Sequence, residues 1–432
     1  MTYAEAERFL FEELTNYLRT GSVGSPDAGR PTRAKILRLL GRLGHPHARP
    51  ECDFVHVGGT NGKGTVSTCI ASISSATGVS TGLYTSPHYV RFTERIRVDG
   101  EEISPEAVVA FCERYRDDLL DLRCSFFEAT AAMAFWYFRE RRVERAVVEV
   151  GLGGTWDATN VIRPSVSIVT NIGYDHTEVL GSTLDRIAAE KVAIAKSRSR
   201  LLVGRWQGLP HEIFAAHCEG VASTLAYAEE CVQMASDGRG FYLRDHVGAQ
   251  VAIEPQRYLA GPYAVENVRT AVAATRLWRG GCSVGAVERG LEGLSDYGFK
   301  GRMQTVQRSP LVIADAAHNP EAWAAILPVV ASRLPEGGTL RVVCGFKRGK
   351  TPDAFFRELP QGARLYLCEA SALAMPVGQV LAKAAAFDAS DHETVASALT
   401  AALNAAGAND LLFIGGSSYV VGDALAYFEA RT

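Results

Sequence analysis

Two side chains able to handle a phosphate stand at the end of one glycine-rich run. The run is His56-Val57-Gly58-Gly59-Thr60-Asn61-Gly62-Lys63-Gly64-Thr65. The run Phe54 to Val57, apolar apart from His56, leads into it and a helix-compatible stretch, Val66 to Ser75, leaves it. Glycines let backbone N–H groups turn towards an anion, and a helix N-terminus adds partial positive charge. Lys63 can reach β- and γ-phosphates and Thr65 can hold Mg²⁺. The common phosphate loop carries a glycine six residues before the lysine; here that position is Val57 and the spacing runs from Gly59. The alternative is a plain turn between strand and helix. Turn geometry alone does not explain a lysine followed two residues later by a threonine.

Further polar groups fall just past apolar runs. Ser86 follows Leu83-Tyr84-Thr85 and reads either as a second hydroxyl for a metal or as a Ser-Pro turn. Ala146 to Val150 is apolar apart from Glu149, at its end. Open α/β sheets place ligand chemistry at such strand ends, so metal coordination is the expected role, with capping of the next loop as the alternative. His176 lies beyond the strand Val166 to Thr170. A lone histidine is usually structural, but a third strand-end polar group favours a metal role. Over Thr183 to Ser197, residues Leu184, Ile187, Ala188, Lys191, Ile194 and Ala195 share one helical stripe, which turns Lys191 inward. A bare buried ammonium is costly. Lys191 could pair with a carboxylate, or be neutralised or modified.

The elements that position these groups form an α/β pattern. Met1 to Thr20 reads as an amphipathic helix of the mature protein rather than a targeting signal. Gly21 to Pro31 reads as a loop near a ligand, and Arg33 to Leu43 as a helix. Ser104-Pro105 opens another helix. Ser125 to Phe138 is mostly core, and Glu128 within it needs a partner. The polar loop Asp157 to Asn160 can contact a substrate. Residues 200–256 carry few chemical pointers. Asn267 sits near the start of a helix over 261–278, and 283–294 is another. Tyr297 to Arg302 reads as a hinge, dividing the chain into 1–298 and 299–432. Beyond it, Leu311 to Ala314, Leu340 to Cys344, Arg364 to Cys368 and Leu411 to Ile414 are strands of a smaller doubly wound domain, with polar exits at Asp315/His318 and Gly415 to Ser418.

A chain of 432 residues exceeds what one core usually supports, so two domains are expected. The net charge of −3 gives no electrostatic reason to expect nucleic acid. Nine scattered cysteines with no C-x-x-C pair suit reduced thiols in a cytoplasm. No apolar run approaches the ~20 residues that span a bilayer, so no membrane partner is expected.

The motifs in order resemble the folylpolyglutamate synthase/dihydrofolate synthase family of the Mur ligase superfamily, from about Leu39 onward. The matches are Gly59 to Thr65; Thr85-Ser86-Pro87-His88 with Phe92 and Glu94-Arg95-Ile96; and Phe126-Phe127-Glu128 with Thr130. They continue through Glu149 to Gly154, Asp157 to Asn160, Asp175-His176, Glu190-Lys191 and Asp315 to Pro320. The resemblance implies a larger ATPase domain with a mostly parallel sheet and the pterin site, and a smaller Rossmann-like glutamate-ligase domain. It implies that ATP activates a pterin-linked carboxylate, dihydropteroate or a reduced folate, as an acyl phosphate, which L-glutamate's amine then attacks.

The same resemblance distributes roles. Gly59, Thr60, Asn61, Gly62, Lys63, Gly64 and Thr65 hold ATP, with Asn267, Arg302 and Asp315. Thr65, Ser86 and Glu149 hold one Mg²⁺; His176 and a carbamylated Lys191 serve a second. Lys63, Lys191, His176 and His318 act in catalysis. Ser125, Phe127, Asp157, Ala158, His318 and Ser417 meet substrates. A monomer is expected. The chain departs from the family pattern at Thr155-Trp156, at Val192-Ala193, at Ala316, at Ser125 and in Gly345 to Thr351, where a D-K-D is absent. An amide ligase with a non-folate carboxylate is therefore the second reading. A nucleotide switch or motor is the third, and it leaves Lys191, Asp315 and His318 without purpose.

Overall fold

A computed structural model describes residues 1–14, 33–205, 210–235, 238–244, 250–278 and 281–431. The loop expected over Gly21–Pro31 and the far end of the first helix lie outside them. The chain forms two compact units. The first comprises Met1–Pro87, Phe92–Tyr258 and Ala264–Phe299; the second comprises His88–Arg91, Leu259–Tyr263 and Lys300–Thr432. Two short segments that precede the main body of the second unit, His88–Arg91 and Leu259–Tyr263, thus belong to it, which sequence order does not reveal.

The first unit is built on an eight-stranded sheet. Its strands are β1 (Asp53–Gly58), β2 (Thr81–Tyr84), β3 (Ile96–Val98), β4 (Glu101–Glu102), β5 (Arg145–Glu149), β6 (Val166–Val169), β7 (Arg200–Val203) and β8 (Thr224–Tyr227). The order is β4-β3-β2-β5-β1-β6-β7-β8. From β2 to β8 all pairs are parallel; β3 and β4 run antiparallel at one edge. Buried residues on both faces explain the nearly unbroken apolar runs. Parallel pairing matters for the site because it brings every strand exit to one edge. Val57 pairs with Glu149 and Gly58 with Val169, so the exits of β1, β5 and β6 are adjacent.

The helix Lys63–Ser75 follows β1 and is buried from Thr65 to Ser74. The helix Pro105–Asp121 starts at the Ser104 cap as its Ser-Pro pair predicts. Over 183–197 the helix is shorter than its stripe suggests, running Leu184–Val192 from the Thr183 cap. Its end is taken up by side chains: Asn160 Nδ2 and Lys196 Nζ both donate to Ala193 O, at 3.4 and 2.9 Å. The first helix is also shorter, Tyr3–Arg8, and passes into a π-helical turn at Phe9–Glu13. The helix His211–Val221 carries no chemistry-bearing pattern and went unpredicted.

The second unit holds a six-stranded sheet of order β11-β12-β16-β13-β14-β15. These strands are β11 (Gln304–Arg308), β12 (Leu311–Ala314), β13 (Leu340–Cys344), β14 (Arg364–Cys368), β15 (Asp388–His392) and β16 (Leu411–Gly415), numbered after a small hairpin of β9 (Phe241–Arg244) and β10 (Gln250–Ile253) in the first unit. Alternation sorts the side chains into two cores. Ile313, Val342, Leu411 and Phe413 enter one; Val312, Ala314, Val343, Leu412 and Ile414 enter the other. Strand β15, Asp-Ala-Ser-Asp-His, is polar because it is an edge, which hid it from a hydrophobicity reading.

Candidate active site

The phosphate loop is shaped by its neighbours. Gly59 has φ 137°, and a Cβ there would stand 1.9 Å from Thr170 Oγ1. Gly62, φ 82°, caps the following helix without a side chain; a Cβ would meet Asn267 Oδ1 at 2.4 Å. Gly62 offers no side chain to cap the first-turn N–H groups, which suits them to an anion. The exit of β6 braces the loop from beside it. Thr60 N donates to Asn171 O at 3.0 Å, Asn61 N to Asn171 Oδ1 at 2.8 Å, and Thr170 Oγ1 to Asn61 O at 2.6 Å. Thr60 Oγ1 donates to Gly173 O and accepts from Gly173 N.

Two lysines close on this loop. Lys63 Nζ donates to Gly59 O and Thr60 O, both at 3.1 Å. Lys191 Nζ donates to the same Gly59 O at 2.8 Å. Lys191 is 4% exposed, as the helical stripe predicted. Burial first, and then the Lys63 charge, pull its pKa down to about 7; Asp175 and Glu190 oppose that. A lowered pKa makes the amine easier to neutralise, and a neutral amine is also the form open to modification.

Glu149 is 3% exposed and lies beneath the start of the helix Lys63–Ser75, with its Oε1 3.6 Å from where a Gly64 Cβ would be. Ser86 N donates to Glu149 Oε2 at 2.8 Å, so the exits of β2 and β5 meet there. Among the described residues no three His, Cys, Asp or Glu side chains converge as a metal-binding group. Residues Thr65, in the first turn of the helix above Glu149, and Ser86, whose N–H meets its carboxylate, each carry a hydroxyl. One carboxylate plus hydroxyl oxygens, completed by waters and phosphate oxygens, fits Mg²⁺, which rarely takes an all-protein cage. His176, at φ 50°, precedes the short helix Thr177–Leu180 and faces Asp175 and Glu178 at 3.9 and 3.7 Å.

The loop after β5 is tied down by its own aspartate. Asp157 Oδ2 accepts from Gly151 N and Leu152 N at 3.0 Å each; Oδ1 accepts from Thr159 N at 2.9 Å and from Thr159 Oγ1. Burial raises the Asp157 pKa, and these hydrogen bonds oppose the rise. Asp157 therefore organises the loop with both oxygens. A Cβ on Gly151 would meet the Phe127 ring at 2.1 Å, and one on Gly154 would meet Glu190 O at 2.2 Å. Only glycine lets this loop lie against Phe127 and the Lys191 helix. Ala158 and the half-exposed Trp156 line a small crevice with Arg33.

Ser125, expected to meet the substrate, has a structural task in the fold. It is 1% exposed and caps the helix Phe126–Glu140 in a reciprocal capping box with Glu128. Ser125 N and Oγ both donate to Glu128 Oε2 at 2.8 Å. Lys35, 2.9 Å from that carboxylate, is the partner Glu128 needs.

In the second unit Asp315 leaves β12 beside β16 and is 2% exposed. Its Oδ2 accepts from Tyr263 Oη at 2.5 Å and Met303 N at 2.8 Å, and its Oδ1 from Ala317 N at 2.8 Å. Asp315 thus shapes the loop that presents His318, whose Nδ1 lies 3.1 Å from Ala316 O. Burial and the Asp315 charge push the Tyr263 phenol well above its usual range. Ser417 caps the helix Ser418–Glu429, and Arg302 lies near Tyr263. Sequence reading missed Tyr263 because its segment joins a unit that begins some forty residues later.

With this geometry in hand, comparison with known proteins is specific. Residues 57–203 match the Mur ligase middle domain, and residues 301–418 match the Mur ligase glutamate ligase domain. The chain is 31% identical to the dihydrofolate synthase/folylpolyglutamate synthase of Escherichia coli over 383 residues, covering 87% of this chain and 86% of the relative. It is 32% identical over 442 residues to a probable bifunctional folylpolyglutamate synthase/dihydropteroate synthase of Haloferax volcanii, covering 98% of this chain. The chain spans about half the length of that relative, 50%. Among solved structures, E. coli FolC in complex with DHPP and ADP aligns with a TM-score of 0.83 at 28% identity, covering 100% of this chain and 99% of that one. A Yersinia pestis folylpolyglutamate synthase/dihydrofolate synthase complexed with AMPPNP and a Mn ion aligns at 0.82 and 25% identity, covering 99% and 98%. No helix among the described residues is long and apolar enough to cross a membrane.

Proposed function

The chain belongs to the folylpolyglutamate synthase/dihydrofolate synthase family of Mur ligases, and from that membership we propose that it is an ATP-dependent amide ligase joining L-glutamate to a pterin-linked carboxylate. The acceptor is dihydropteroate, the γ-carboxylate of a folate, or both. The observation that carries the reading is the phosphate loop with two lysines on Gly59 O beside the buried carboxylate of Glu149. The arrangement suits phosphoryl transfer, where positioning and electrostatics do most of the work.

The transferred phosphoryl group leaves ATP and bonds to the acceptor carboxylate. The glutamate amine then attacks the acyl carbon, loses a proton, and phosphate departs as the C–O bond breaks. The N–H groups of Gly59 to Thr65 hold the phosphates, and Lys63 exchanges its loop carbonyls for a phosphate oxygen. Thr65, Ser86 and Glu149 would hold Mg²⁺, which when bound neutralises charge on the phosphoryl group. Lys191, neutral in part near pH 7, can add CO₂ to its amine with loss of a proton. The resulting carbamate, with His176, would serve a second Mg²⁺. Asn267 contacts the nucleotide beside Gly62, and Arg302 and Asp315 contribute from the second unit. Phe127 and Ala158 face the pterin, and His318 and Ser417 the incoming glutamate. A monomer working in the cytoplasm completes the reading.

The test supplies Mg-ATP and glutamate with dihydropteroate, or with a reduced folate. ADP release that requires both carboxylate and glutamate is expected. Release with neither pterin would transfer the chain to a different acceptor.

A further inference from the structure

His56 lies inside β1 and is 0% exposed. Its Nε2 is 2.8 Å from Thr159 Oγ1. The Thr159 hydroxyl proton goes to Asp157, whose oxygens each accept from two donors and so have no place for a proton of their own. Thr159 therefore accepts from His56, and the imidazole carries its proton on Nε2. Among the described residues Nδ1 has no hydrogen-bond partner, which fits the nitrogen that carries no proton. Burial, helped by Lys196, holds the His56 pKa at about 3, so the ring is neutral at any working pH.

We propose that His56 is a positioning residue: from within the strand that carries the phosphate loop, it fixes the loop 151–160 through Thr159 and holds Asp157 and Ala158 in register with Gly59 to Thr65. That this loop meets the acceptor carboxylate rests on the ligase reading; that His56 orders it does not. The residue lies two positions before Gly58, so one short strand connects both loops. A valine would fill the strand equally well but could not donate.

The test uses the whole protein with His56→Val and His56→Gln, the latter restoring an N–H donor. Amide hydrogen exchange of the ligand-free protein is read first. In His56→Val, exchange should quicken by about tenfold in 151–160, the scale of one hydrogen bond, while 58–65 is unchanged; His56→Gln should return it. Unchanged exchange in 151–160, or faster exchange throughout that glutamine fails to restore, overturns the proposal. Kinetics are read second. His56→Val should raise KM for the pterin carboxylate about tenfold and leave KM for ATP within about twofold. Localised exchange with no KM change keeps the positioning role and instead overturns the assignment of the loop to the acceptor.

Discussion

Lys63 and Lys191 donate to one and the same oxygen, the carbonyl of Gly59, at 3.1 and 2.8 Å. Two cations sharing one neutral acceptor repel each other, and an incoming phosphate relieves that repulsion. The pair gives the loop its preference for an anion. Lys63→Met should lower ligation by about 10²–10³-fold, the usual loss when one donor to a developing charge is removed. Lys191→Ala should abolish ligation with the fold intact by circular dichroism. Near-normal turnover in that variant would sink the carbamate proposal.

The Lys191 amine also sets a pH dependence. Unfolded, it holds its proton up to about the ordinary 10.5; folded, it releases it at about 7. Between those values the unfolded state binds more protons, so stability rises with pH across that window. Below about pH 7 both states are protonated and the burial penalty is fully present. Thermal melts in CO₂-free buffer should therefore show wild type gaining on Lys191→Met from pH 7 to 10. A constant difference across that range counts against a depressed amine.

Glu149→Gln keeps the shape of a side chain that is 3% exposed but removes its charge. Ser86 N retains an acceptor only if the amide oxygen takes the place of Oε2. We expect the half-saturating Mg²⁺ concentration to rise at least about tenfold, with ligation down about 10²-fold at saturating metal. A magnesium titration of ADP release reads both numbers.

Gly59→Ala introduces a Cβ 1.9 Å from Thr170 Oγ1 at a φ of 137°. The loop must shift, because the facing atom belongs to the β6 exit that braces it. Calorimetric titration with ADP should show affinity falling about tenfold or more, and a denaturant midpoint should move little.

Glu128→Ala removes a fully buried carboxylate that caps the helix Phe126–Glu140 and pairs with Lys35. The cap and the ion pair together should cost about 3 kcal/mol. Urea unfolding measures it; a change below about 0.5 kcal/mol, typical of surface sites, would count against the capping box as a stabilising element.

Much of this protein is legible as sequence because its signals are local. The apolar run before Glu149 reads as a doubly buried strand, since each residue's burial repeats along the chain. The stripe Leu184, Ile187, Ala188, Lys191 reveals an inward lysine, because helical periodicity fixes direction within one element. The glycines of Gly59 to Thr65 announce a backbone that must turn towards an anion. Such inferences need neighbours in sequence only.

What tertiary structure decided are the meetings between elements. Asp157, expected to meet a substrate, also has a task of its own in the fold: its carboxylate accepts from Gly151, Leu152 and Thr159 and ties down its loop. Ser125, expected likewise, also caps the helix Phe126–Glu140 with Glu128. His56 looked like an ordinary strand residue until Thr159 arrived across 103 residues. Tyr263 meets Asp315 only because its segment belongs to the second unit. For His56 and Tyr263 the partner lies 103 and 52 residues away in sequence, and spacing along the chain does not encode a meeting that the packing of distant segments brings within 3 Å.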